Sequence, residues 1–338
     1  MKSMQFRLAL IVAAAAAFAV GPAGAQQPII IKFSHVVAVD TPKGKAADYF
    51  KKLAEERTKG RVKIEVYPNS QLYKDKEELE ALQLGSVQML APSLAKFGPM
   101  GLREFEVFDL PYIFDSYAEL HKVTQGAVGA GLLKKLEPKG IVGLAYWDNG
   151  FKVMSSNKPI KVPADYKGLK MRIQSSKVLE GQMRALGSLP QVMAFSEVYQ
   201  ALQTGVVDGT ENPMSNLYTQ KMHEVQKHLT LSEHGYLGYA VIVNKKFWDG
   251  LPTDVHAQLE QAMKEATEHA NKIAQAENDA ALDAVRKSGK TVVYTPTPAE
   301  RLEFKKAMAK THKEMESRIG KETIEAVYKE TGFDPSKL

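Results

Sequence analysis

The chain of 338 residues contains no cysteine. That absence removes disulfide frameworks, thiolate zinc sites, iron–sulfur clusters and cysteine nucleophiles together. Long apolar runs are also scarce. Residues 8–20 (LALIVAAAAAFAV) form a run of 13, short of the roughly 20 needed to cross a bilayer. No later segment is long and apolar enough to do so. There is no Walker loop, no Gly-x-Gly-x-x-Gly after a strand, no Gly-x-Ser-x-Gly and no His-Glu-x-x-His. The eight histidines are scattered, and His223 and His228, five apart, share a helix face poorly. No metal site and no cofactor is therefore expected. Basic residues outnumber acidic ones only modestly, 45 to 39, and the two are interspersed. No basic run tracks a phosphate backbone, so nucleic acid is not an expected partner. A small positive balance suits an anionic small molecule, although net charge alone proves little.

What is present begins with an export signal. Lys2 and Arg7 precede the apolar run, and Ala23-Gly24-Ala25 supplies a small-x-small cleavage site. These are the three parts of a secretory signal peptide, so residues 1–25 are expected to be removed and the protein to reach the periplasm.

The rest alternates strand and helix. Strands are expected over 29–34, 61–67, 87–91, 141–147, 170–174, 206–210 and 236–244. Helices are expected over 42–53, opened by Thr41-Pro42, and over 76–84, 176–186 and 195–204. Repeated strand–helix units imply an α/β fold with largely parallel sheets. No Gly or Pro interrupts the chain between Pro252 and Gly289. Apolar positions recur there at Val255, Leu259, Ala262, Met263, Ala266, Ala270, Ile273, Ala276, Ala280 and Val285, mostly at helical spacing. A helix of about 35 residues is roughly 50 Å long, more than one domain of about 150 residues needs. It either runs across two domains or protrudes into a dimer.

Seven segments carry a family pattern: KFSHVVAVDTPKG (32–44), VYPNSQLYKD (66–75), LPYIF (110–114), YWDNGFKVMSSNKPI (146–160), GLKMRI (168–173), MAFSEVYQALQTGVVDGTENP (193–213) and VNKKFWDGLP (243–252). In this order they resemble the extracytoplasmic solute receptors of tripartite ATP-independent periplasmic (TRAP) transporters, most closely those that bind C4-dicarboxylates. The resemblance implies a two-lobe, flytrap-like periplasmic-binding-protein fold with a long helix bridging the lobes. It assigns residues 26–149 plus 238–276 to lobe one and 150–237 plus 277–338 to lobe two. It further implies a monomer that binds a small organic acid and hands it to TRAP membrane subunits.

The residues read as follows. Arg172 alternates with Met171 and Ile173, which alone makes it a solvated strand residue. The resemblance makes it the clamp on a ligand carboxylate, for which a planar guanidinium is suited. Asn212 precedes Pro213 and reads as a turn residue, or by resemblance as a second carboxylate ligand. Phe195 is a core aromatic or a ring over the ligand's carbon chain. Lys152 stands where family members with Asn-Gly-x-Arg carry an arginine. Ser93 follows a strand end, where α/β sheets place ligands, and is otherwise a helix cap. His35 either meets the distal carboxylate or satisfies backbone groups. Trp147 and Tyr236 are cleft walls or core. Asp75 would repel a dianion and is expected to cap the helix at Lys76. An exported enzyme, with His35 or Asp75 as general base, is the alternative of a different class. An exported partner of a sensor is another.

Overall fold

The computed structural model describes residues 27–337; the expected signal segment lies outside the described residues. Eleven strands form two sheets. The strands are β1 (Ile29–Ser34), β2 (Val62–Tyr67), β3 (Met89–Leu90), β4 (Ile141–Phe151), β5 (Val153–Ser156), β6 (Lys170–Ile173), β7 (Leu189–Val192), β8 (Gly209–Asn212), β9 (His228–Thr230), β10 (Tyr236–Asn244) and β11 (Val292–Tyr294). The first sheet has the order β2-β1-β3-β10-β4 and the second β11-β9-β5-β8-β6-β7. Each mixes parallel strands with antiparallel ones: β1 runs parallel to β2 and β3, and β6 parallel to β7 and β8.

The expected strands are present, with different bounds at β3, β4 and β8, and four more appear. Strand β7 was hidden because it reads Leu-Pro-Gln-Val; proline is tolerated there because β7 is an edge strand. Strand β5 was hidden because its serines are buried, Ser155 donating to the Gln226 side chain at 2.9 Å.

The two lobes follow from these sheets. The chain crosses from β4 to β5 at Lys152 and returns into β10 at Gly235. The two crossings touch, since the Lys152 N–H donates to the Gly235 carbonyl at 2.8 Å. Beside them runs the helix Thr253–Ser288, closed by Gly289 in the left-handed region at φ 65°. Its first half buries Leu259, Ala262, Met263, Ala266 and Ala270 in the core of lobe one, with Phe33, Phe50 and Trp147. Its last turns bury Ala281 and Val285 among Val198, Leu202 and Leu217 of lobe two. The helix therefore spans both lobes.

Between those stretches the expected apolar stripe fails. Ile273 is only half-buried and Ala276 and Ala280 are exposed. Thr267, Asn271 and Asn278 instead face the crossing. Thr267 accepts from the Trp147 indole at 2.9 Å, Asn271 from the Asp148 N–H at 2.9 Å, and Asn278 donates to the Asn149 carbonyl at 2.7 Å.

The C-terminal helices depart from the expected division. Helix Pro298–Glu314 packs Phe304 and Met308 on Tyr166 and Leu179 of lobe two. Helix Lys321–Thr331 packs Ile324 and Val327 on Leu120, Val123 and Leu132 of lobe one. The apolar face of that last helix finds a partner only by returning across the interface.

Candidate functional site

Both sheets point the carboxyl ends of their parallel strands into the cleft between the lobes, where open α/β sheets bind ligands. On the lobe-one side, β1 leads into the helix Pro42–Arg57. Thr41 caps that helix by accepting from the Gly44 N–H at 3.1 Å. This turn places Lys43 wholly inside the protein. Its Nζ donates to the Ala91 carbonyl at 2.9 Å and sits 3.8 Å from the centre of the Tyr239 ring. Burial, followed by the charge of Lys96, pushes Lys43 down to about 7.

Lys96 is buried beside it and differs in its partners: Asp75 and Glu78 each hold its Nζ at 2.6 Å. Against the burial that favours neutrality, those two carboxylates raise Lys96 above its ordinary range. In turn, Lys96 and then Arg172 outweigh burial at Asp75 and hold it down to about 2.

On the lobe-two side, the backbone alternation of β6 is as expected, but the face carrying Arg172 is covered. Lys170 is exposed, whereas Arg172 is 1% exposed. Its Nε and one terminal nitrogen donate to the Met193 carbonyl at 3.0 and 2.8 Å, and its guanidinium lies 5.8 Å from the Phe195 ring centre. Among the described residues no carboxylate lies within 4.0 Å of it. Burial lowers its pKa, and Asp75 and Glu211 act on it only from farther away.

The lobes meet over this site. The Asp75 carboxylate accepts from the Phe195 N–H at 2.6 Å, Gln174 donates to the Ser93 hydroxyl at 2.8 Å, and Lys74 pairs with Glu197 at 2.8 Å. Beneath these contacts is a small cavity lined by Lys43, Ser93, Phe195, Asn212, Asn216 and Tyr239, among others. Its volume is about 10 Å³, space for about one water molecule. Asp75, Lys96 and Gln174 are shared with a wider groove of about 740 Å³ that also reaches Arg172.

The structure thus gathers Arg172, Asn212, Phe195 and Ser93 around one cleft. Four other candidates line neither the cavity nor the groove. Trp147 is fully buried against Phe33, in the lobe-one core. Tyr236 donates to Asp148 at 2.6 Å, and Asp148 also holds His121 at 2.6 Å, beside the crossing strands. Lys152 is buried with Glu211 at 2.9 Å, and Glu211 also meets His234 at 2.8 Å. Lys152 and then His234 hold Glu211 down to about 2 despite burial, so the Lys152 charge is already matched. His35 is buried with both ring nitrogens unpartnered, and burial with the Lys43 charge pushes it down to about 3. Asp75 caps no helix: the helix Glu77–Gln83 has no side-chain cap, and Asp75 instead bridges the lobes. Sequence reading passed over Lys43, Lys96, Gln174 and Tyr239. Lys43 stands in Thr-Pro-Lys-Gly, which reads as an ordinary first turn of a surface helix.

Comparison with known proteins adds to this geometry. Residues 33–318 match the model of the bacterial extracellular solute-binding proteins, family 7. The C4-dicarboxylate-binding periplasmic protein DctP of Rhodobacter capsulatus is 66% identical over 319 residues, covering 94% of this chain and 96% of that protein. A TRAP periplasmic solute-binding protein from Sulfurospirillum deleyianum, solved with succinate bound, is 48% identical with a TM-score of 0.86, covering 88% of this chain and 98% of that one. A TRAP solute-binding protein from Pseudomonas aeruginosa with bound L-malate is 44% identical with a TM-score of 0.83, covering 85% and 100%. With the sequence pattern, the two sheets and the bridging helix all in agreement, this chain belongs to the family 7 bacterial extracellular solute-binding proteins, the DctP-type receptors of TRAP transporters.

Proposed function

We propose that this protein captures a C4-dicarboxylate such as succinate, malate or fumarate in the periplasm, as a monomer cleaved near Ala25. It then delivers the ligand, chemically unchanged, to TRAP membrane subunits for ion-driven uptake. The observation that carries the reading is Arg172: a buried guanidinium with no carboxylate in ion-pair reach among the described residues. Burying a charge is costly unless a partner compensates it, so the position favours an incoming anion. A carboxylate takes two parallel N–H bonds from the guanidinium, the Asn212 amide supplies another donor, and Phe195 packs on the carbon chain. The neighbours carrying succinate and malate support the same ligand class.

A four-carbon diacid needs far more room than about 10 Å³. Entry therefore requires the lobes to part, releasing the Asp75–Phe195, Ser93–Gln174 and Lys74–Glu197 contacts. We place the hinge at the crossings near Lys152 and Gly235 and in the helix Thr253–Ser288. Closure is then a hinge motion stabilised by contacts that the ligand makes with both lobes.

The test is a thermal-shift and calorimetric screen of organic acids. A C4-dicarboxylate at about 100 times its dissociation constant should stabilise the protein by about 2.7 kcal/mol. Proton NMR of the mixture should recover the acid unaltered. No shift with succinate, malate or fumarate overturns the ligand class, and a converted acid overturns the receptor role.

A further inference from the structure

We infer that Lys43 is the specificity-determining residue of the cleft: it reads the second carboxylate, so that a diacid is held with one carboxylate on each lobe. This rests on the dicarboxylate reading above and says how the site tells a diacid from a monoacid.

Among the described residues, the cleft is rich in cations. Three are buried there: Lys43, Lys96 and Arg172. Lys96 has two carboxylates in ion-pair contact, Asp75 and Glu78. Among the described residues, neither Arg172 nor Lys43 has a carboxylate within 4.0 Å. The two lie on opposite lobes, Arg172 in β6 and Lys43 in the first turn of Pro42–Arg57. They flank a common wall, because the cavity that Lys43 lines and the groove that Arg172 lines share Asp75, Lys96 and Gln174.

Against burial, Lys43 has only the Ala91 carbonyl, the Tyr239 ring and the more distant carboxylates of Glu78 and Asp75. A cation in the first turn of a helix opposes the helix dipole. The side chain is buried, and among the charges acting on it the Lys96 ammonium weighs most, ahead of the Glu78 and Asp75 carboxylates that act the other way. A buried residue that breaks several rules at once marks a functional position. One of its three N–H groups goes to Ala91 and the Tyr239 ring faces the charge, which leaves donors for a ligand in the cavity. A carboxylate there would pair with the charge directly, whereas a monoacid on Arg172 would leave Lys43 with no carboxylate in ion-pair reach.

The ammonium titrates within reach of experiment, pushed down to about 7. The groups that face it respond elsewhere. Asp75 lies near 2, His35 near 3 and Tyr239 near 12, while Lys96 is raised above its ordinary range and Glu78, raised by burial, is held by Lys96. A neutral amine does not attract a carboxylate. Succinate affinity should therefore fall as pH rises from about 7 to about 9, and binding in that range should take up a proton.

The experiment compares Lys43→Met and Lys43→Arg with the wild type, by calorimetry with succinate and with butyrate, its monocarboxylate counterpart. Lys43→Met should weaken succinate at least about thirtyfold while changing butyrate by no more than about threefold. Lys43→Arg should keep the preference for succinate and flatten its pH profile between about pH 7 and 9, because arginine stays charged. If Lys43→Met keeps wild-type discrimination, or loses both acids equally, the inference is overturned. Should the Met variant not fold, the Arg variant decides: a wild-type profile already flat, or an unchanged slope in Lys43→Arg, overturns it. Failure of the wild type to bind any C4-dicarboxylate would instead refute the ligand reading on which this rests.

Discussion

In the proposed reading Arg172 and Lys43 are cations placed for a ligand, and the fold bears the cost. A buried guanidinium without a carboxylate carries a desolvation cost, and relief of that cost on its removal is offset by the lost bonds to the Met193 carbonyl and the cavity left behind. For Arg172→Ala we expect binding of succinate or malate to weaken by about 2–5 kcal/mol, while the melting temperature without added acid changes far less than the affinity. Calorimetry and a thermal melt check both halves. Retained affinity would show that the carboxylate binds elsewhere. Arg172→Lys should also be impaired, since a lysine cannot reproduce the fork. Lys152→Ala should behave in the opposite way. It leaves the buried Glu211 carboxylate with His234 as its remaining partner, and about 3 kcal/mol of stability should go with the lost ammonium, read from denaturant unfolding.

At the scale of elements, the long helix does two jobs with two kinds of surface. Apolar stripes at its two ends dock it to each lobe, and a polar row of Thr267, Asn271 and Asn278 braces the crossing strand β4. Asn278 also accepts from the Ser215 N–H at 2.9 Å, tying lobe two to the same point. Gly150 makes this approach possible: a Cβ there would lie 2.7 Å from the Asn278 amide nitrogen and 3.2 Å from the Tyr117 hydroxyl. Gly150→Ala must push Asn278 off its bonds, and a loss of about 1–3 kcal/mol is expected by chemical denaturation. Asn278→Ala should cost a similar amount. Small-angle scattering should show a broader spread of lobe separations for both. An unchanged profile would mean that the row is not the brace.

For the whole molecule, the cleft makes folding and binding respond oppositely to alkali. Unfolded, Lys43 holds its proton up to about pH 10.4. Folded, it releases it near 7. The unfolded chain then binds more protons across this range, so stability without a dicarboxylate rises with pH, by no more than about 1.4 kcal/mol per unit. Affinity for a dicarboxylate should fall over the same range. Melting curves at several pH values between about 7.5 and 9.5 should show the rise in the wild type and its loss in Lys43→Met. The lack of disulfides fits this picture. Two lobes of this size bury enough apolar surface to fold without cross-links, even where disulfides can form.

The division between what was legible and what was not has a physical origin. Periodicity is local, so the strand–helix alternation, the long helix and its terminating glycine could all be read along the chain. The ordered motifs pointed to Arg172, Asn212 and Phe195 because those segments carry the family pattern, and Ser93 was pointed to by its place after a strand end. The state of a charge is not local. Lys43 in Thr-Pro-Lys-Gly and Lys152 in Gly-Phe-Lys-Val look equally solvated in sequence, yet both are buried. Only the fold brings Glu211 to Lys152 and leaves Lys43 and Arg172 with no carboxylate within 4.0 Å among the described residues. The same holds for Asp75, a helix cap by its sequence neighbours and an interlobe bridge by its contacts. The sequence by itself determined the class of fold and the family. The tertiary structure decided which buried charges are matched and which remain for a ligand, because desolvation and pairing depend on residues far apart in the chain.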